Sequence, residues 1–140
     1  MECKVSWTGP EGMTFLAESG SGHAVVMDGA PEGGGRNLGP RPMELVLIGA
    51  GGCTAYDVVV ILRKSGQDVR GCEVSLAAER AAADPKVFTR VAFTFTVRGR
   101  GLKPNIVERA IRLSHDKYCS ATAMLAHTAE ITLDWQIVED

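Results

Sequence analysis

The stretch Pro42–Lys64, PMELVLIGAGGCTAYDVVVILRK, decides the fold. From Leu45 to Leu62 it is apolar or small except for Thr54, Tyr56 and one formal charge, Asp57. Pro42 and Glu44 suit a first helical turn, and Arg63 and Lys64 ahead of Gly66 suit a last turn and its cap. A helix apolar on nearly every side is a buried one. This one carries a thiol, Cys53, directly after Gly51 and Gly52, each of which costs about 1 kcal/mol in a helix interior. Such a cost implies tight packing, a kink, or access to the sulfur.

Strands flank this helix on both sides. Upstream, Glu2–Thr8 alternates Cys3, Val5 and Trp7 against Lys4 and Ser6, and turn signals separate it from Met13–Glu18 and His23–Asp28. The three read as an antiparallel meander. The connector Ala30–Arg41, APEGGGRNLGPR, offers little for regular structure. Downstream, Val69–Arg80 alternates Cys72, Val74, Leu76 and Ala78 inward, and Val87–Arg98 alternates Val91, Phe93, Phe95 and Val97, which reads as a long hairpin. Lys103–Tyr118 has helical periodicity, with Ile106, Val107, Ala110, Ile111, Leu113 and Ser114 on one stripe. A shorter helix is expected over Ser120–His127 with Ser120 as its N-cap, followed by a strand over Glu130–Val138. The order βββ-α-ββ-αα-β predicts an α+β fold with an antiparallel or mixed sheet packed on helices.

At 140 residues the chain is expected to be a single domain, 1–140, with residues 1–41 as meander and connector and 42–140 as the remainder. A helix apolar all round needs more cover than one sheet provides, so an extensive homodimer interface is predicted. The formal net charge of −2 with 23% charged residues gives no basic face for nucleic acid. The apolar run is long enough for a membrane span, but Asp57, three glycines and the lack of a second candidate favour a core helix. The N-terminal stretch has no apolar core of signal-peptide length, so a cytoplasmic protein is expected. The four cysteines, Cys3, Cys53, Cys72 and Cys119, form no CxxC and no zinc-ribbon pattern.

Cys53 by itself reads as a buried inert thiol. Cys119, beside a helix N-terminus, sits where the dipole favours thiolate, with His115 one turn earlier. Cys3 and Cys72 read as packing residues. Asp57 either pairs with an arginine or reaches the surface, and a carboxylate near Cys53 raises the thiol pKa unless a cation neutralises it. Glu44, nine residues before Cys53, is roughly 13 Å away along a regular helix and suits the dipole better than the thiol.

GGC inside an apolar helix, 66 residues before the second cysteine in KYCSATAML, resembles the OsmC/Ohr family. The resemblance covers nearly the whole chain and lies nearer the less characterised OsmC-like branch. It implies an intertwined α+β homodimer, the central helices inside, with two sites at the subunit interface. It also implies a thiol-dependent peroxidase of organic hydroperoxides that needs no cofactor. Cys53 then resembles the peroxidatic cysteine and Cys119 the resolving one, closing a disulfide that a dithiol reductant, by analogy a lipoylated protein, reopens. Met43 stands where the family's reductases carry a glutamate, with Glu44 one place late. Arg36 and Arg41 are the candidates for the arginine that the family pairs with that glutamate.

Met43 keeps a second class open: a non-enzymatic redox sensor, or a binder of an apolar ligand in the dimer cleft. A metal site from Cys53, Cys119 and His115 is a weak third reading. A cysteine hydrolase is weaker still, because no His and carboxylate can be assigned to Cys53.

Overall fold

The computed structural model describes residues Met1–Asp140, in the element order the pattern predicts. Strands β1 (Cys3–Trp7), β2 (Phe15–Ser19) and β3 (Ala24–Met27) precede a 3-10 turn at Pro31–Gly33 and helix α1 (Pro42–Lys64). Strands β4 (Asp68–Arg80) and β5 (Phe88–Arg100) follow. Helix α2 (Pro104–Leu113), a π turn at Ser114–Tyr118, helix α3 (Ser120–Leu125) and β6 (Glu130–Glu139) complete the chain. The strands form two three-stranded sheets, β1-β2-β3 and β4-β5-β6, and not one continuous sheet. The first is antiparallel throughout, while β6 runs parallel to β5, its return made by the two helices. The chain divides into compact units Met1–Leu47 and Ile48–Asp140, so the division falls inside α1 and not ahead of it.

In the second unit, β5 buries Val91, Phe93, Phe95 and Val97 on one face, as the alternation requires. The Phe93 and Phe95 rings lie 6.5 Å apart. Val107, Ala110 and Ile111 supply the buried stripe of α2. Helix α1 buries Ala50, Thr54, Val58 and Leu62, a row four residues apart, together with Gly51. Each fully buried aliphatic or aromatic side chain contributes about 1.5–3 kcal/mol. Gly51 has a steric reason: a Cβ there would lie 2.8 Å from Leu76 Cδ1 on β4. Gly49 and Gly52 have no such neighbour, since a Cβ at either would meet nothing within 4 Å. The expectation of burial on all sides is met along one stripe only. Ile48 and Tyr56 on α1 are 59% and 73% exposed in the single chain.

In the first unit β1 is exposed along its whole length, Cys3 included, so Cys3 is not the packing residue its alternation suggests. The fully buried residue of this unit is a carboxylate, Asp28. It accepts hydrogen bonds from the backbone N–H groups of Gly29 (2.7 Å), Arg36 (3.2 Å) and Leu38 (3.2 Å) and from the Thr14 hydroxyl (3.0 Å). Burial pushes its pKa up, but these four donors outweigh it and hold the carboxyl below its ordinary value. The glycine-rich connector is therefore organised around one buried anion, where its composition suggested no regular structure.

Candidate functional site

The α1 stripe places Thr54 inward, with Cys53 and Asp57 half-buried beside it. Opposite them, α2 does not end in a simple cap. Its last turn widens into the π turn, where the Cys119 N–H reaches back five residues to the Ser114 carbonyl at 2.8 Å. Ser114, fully buried, also donates its hydroxyl to Asp57 Oδ2 at 3.0 Å. With that hydrogen committed, the Ser114 oxygen accepts from the Thr54 hydroxyl at 2.8 Å. Ser114 thus ties the backbone of Cys119 to the side chains of α1.

Cys119 is the N-cap of α3, displacing Ser120 to the first helical position. Its extended backbone lets Sγ accept from the Thr122 N–H at 3.4 Å and the Thr122 hydroxyl at 2.9 Å. It is 2% exposed. Burial pushes its pKa up, the two Thr122 hydrogen bonds pull it down, and neighbouring Cys53 adds to the rise, leaving the thiol above its ordinary value. The helix N-terminus expected to favour thiolate is outweighed by desolvation.

The sulfurs of Cys53 and Cys119 and a carboxylate oxygen of Asp57 all lie within 4.8 Å of one another. The fold thereby joins two thiols 66 residues apart in sequence. A disulfide needs roughly 2.0 Å between sulfurs, so closure asks for a side-chain rotation and a small shift. His115 is not in this cluster, and its buried Nδ1 has no hydrogen-bond partner. A thiophilic divalent ion would therefore find Asp57, not His115, as the third ligand beside the thiols. No arginine or lysine is among the hydrogen-bond partners of Asp57 or Cys119, which decides how Asp57 is held: by a hydroxyl, not a guanidinium. Cys72 is half-buried on β4, and burial pushes its thiol up as well.

The other candidates lie in the first unit, each with partners of its own. Glu44 Oε1 accepts the Arg41 backbone N–H at 2.8 Å, the N3-to-N-cap half of a capping box. Arg41 donates to Asn37 Oδ1 at 2.8 Å, and Arg36 to the Glu11 carbonyl at 2.8 Å. Met43 is half-buried near the start of α1. Ser114 and Thr122 are the residues the sequence reading leaves without a role. Their signal was a hydroxyl on an apolar stripe, and one three residues after a cysteine at a helix start.

A family model described as OsmC-like protein matches residues 33–134. Protein YhfA of Escherichia coli strain K12 is 47% identical over 138 residues, covering 99% of this chain and 98% of that protein. A hypothetical protein from Aquifex aeolicus VF5 superposes with a TM-score of 0.84 at 26% identity, covering 99% of this chain and 96% of the other. An organic hydroperoxide resistance protein OsmC from Legionella pneumophila shares the fold at 14% identity, with a TM-score of 0.68 and 97% of each chain covered.

Proposed function

The chain belongs to the OsmC-like protein family, and from that premise we propose that it is a thiol peroxidase of organic hydroperoxides. The observation that carries the proposal is the convergence of the Cys53 and Cys119 sulfurs within 4.8 Å. Cys53, the more accessible of the two, attacks the distal oxygen of the hydroperoxide. The O–O bond breaks, the alkoxide leaves as an alcohol after taking a proton, and Cys53 becomes a sulfenic acid. Cys119 condenses with it, water departs, and a dithiol such as a lipoylated protein returns both cysteines to thiols. The name of the Legionella protein of the same fold supports the substrate class.

The working form is a cytoplasmic homodimer. Its interface takes in the uncovered side of α1, where exposed Ile48 and Tyr56 adjoin two glycines open to close approach. The test follows tert-butyl hydroperoxide consumption with a dithiol donor. Cys53→Ser is expected to abolish it, and Cys119→Ser to slow it, because the donor must then reduce the Cys53 sulfenic acid directly. Equal rates in both variants and the wild type would sink the proposal.

Met43 favours a second reading, since methionine cannot carry the charge of the reductases' glutamate. A redox sensor would close the same disulfide reversibly under oxidant, without sustained consumption of hydroperoxide. The donor-dependent turnover measured above separates the two.

A further inference from the structure

We propose that Asp57 carries the proton between the two sulfurs when the disulfide closes. The inference rests on the proposed exchange between Cys53 and Cys119, but not on which oxidant loads Cys53. Asp57 is the only carboxyl or imidazole in the cluster, with an oxygen within 4.8 Å of both sulfurs. Ser114 donates to its Oδ2 at 3.0 Å, and Thr54 holds Ser114 in turn, so the carboxylate is oriented by a directional chain of two buried hydroxyls.

A carboxylate beside two thiols opposes thiolate formation when no cation offsets it. No such cation bonds to Asp57 or Cys119. That arrangement suits the second step, which needs a proton acceptor and a proton donor at one place. Cys119, buried and held above the usual thiol range, enters the step protonated at neutral pH.

The step balances without a further reagent. The Cys119 S–H bond breaks as its proton passes to the carboxylate, and the Cys119 sulfur attacks the Cys53 sulfur. The Cys53 S–O bond breaks, and the departing oxygen takes a proton back from Asp57 to leave as water. One S–S and one O–H bond form, the sulfenic sulfur is reduced, the Cys119 sulfur is oxidised, and the carboxylate is regenerated. Asp57 acts on the reacting atoms, as acid and base in one turnover.

The experiment uses full-length protein with Cys3→Ser and Cys72→Ser, so that only the pair reports. Limiting hydrogen peroxide, which oxidises Cys53 whether or not the protein turns over organic hydroperoxides, is added with excess dimedone. Mass spectrometry then gives the ratio of Cys53 adduct to disulfide, a quantity independent of the loading rate. Asp57→Asn is expected to raise that ratio about a hundredfold or more, the lower end of what general acid–base groups contribute, and Asp57→Glu to bring it most of the way back. In a second arm Cys53 is loaded as a mixed disulfide with thionitrobenzoate, whose anion leaves without a proton. Its release is expected to slow in Asp57→Asn, because Cys119 still needs its base, but by about tenfold less than the dimedone ratio rises, the acid half of the role being unused there. An unchanged dimedone ratio in Asp57→Asn overturns the proposal. Equal slowing in both arms also overturns it, because that marks displaced thiols and not a lost proton carrier. Failure of the peroxidase reading shows elsewhere, as tert-butyl hydroperoxide oxidising Cys53 no faster than a free thiol.

Discussion

Ser114 connects more of the site than any residue the motif contains. Its carbonyl fixes Cys119, and its hydroxyl joins Thr54 to Asp57. Ser114→Ala leaves a half-buried carboxylate without its donor and a buried hydroxyl without its acceptor. It is expected to cost about 1–3 kcal/mol in urea denaturation, and a loss below about 0.5 kcal/mol would contradict the network. Thr122 acts on Cys119 alone. Thr122→Val removes the hydroxyl that holds the Cys119 thiol down, so its ionisation, followed by thiolate absorbance in a Cys53→Ser background, moves to higher pH. A move to lower pH would refute that reading. The two cysteines were legible because a family spacing singles them out. Ser114 and Thr54 were visible only as hydroxyls among apolar neighbours, a pattern that an i−4 backbone hydrogen bond explains equally well.

Among the elements, the connector after β3 departs furthest from its composition. APEGGGRNLGPR carries no periodicity, and its order comes from Asp28, which lies just outside it. Because the folded state holds the Asp28 carboxyl below its ordinary value, the stability it contributes is present above that value and is lost as pH falls through the folded one. Asp28→Asn is therefore expected to be less stable than wild type at pH 7, with the gap narrowing below about pH 4 in thermal melts. A gap that stays constant down to pH 2 would refute the assignment. Helix α1 offers a second contrast, because adjacent glycines have different environments. Gly51→Ala must displace Leu76 Cδ1, while Gly52→Ala meets nothing in its own chain. Within one chain, the second change adds helix propensity of about 1 kcal/mol and the first sets overpacking of about 1–3 kcal/mol against the same gain.

That contrast becomes a test at the scale of the whole molecule. If a second copy packs on the open side of α1, Gly52→Ala loses its propensity gain to a clash between chains. Sedimentation equilibrium is then expected to show a dimer for wild type and at least about tenfold weaker association for Gly52→Ala, a change of about 1.4 kcal/mol. A monomeric wild type, with Gly52→Ala more stable, would remove the dimer from the proposal. The apolar periodicities and the Gly–Pro turns were enough to place the six strands and the three α-helices, because each is a local property of the chain, but not the 3-10 turn, the π turn or the cap of α3. They fixed neither the split into two sheets nor the parallel return of β6, which depend on pairings between distant segments. Local pattern alone makes Pro42–Lys64 a helix bearing a thiol, and has a second cysteine open a short helix 66 residues later. That the two thiols meet at a carboxylate, that Ser114 holds it, and that burial outweighs the helix end at Cys119 follow from contacts between distant segments. The reason is physical: periodicity reports which face of an element turns inward, whereas hydrogen-bond partners and desolvation depend on what the fold brings to that face.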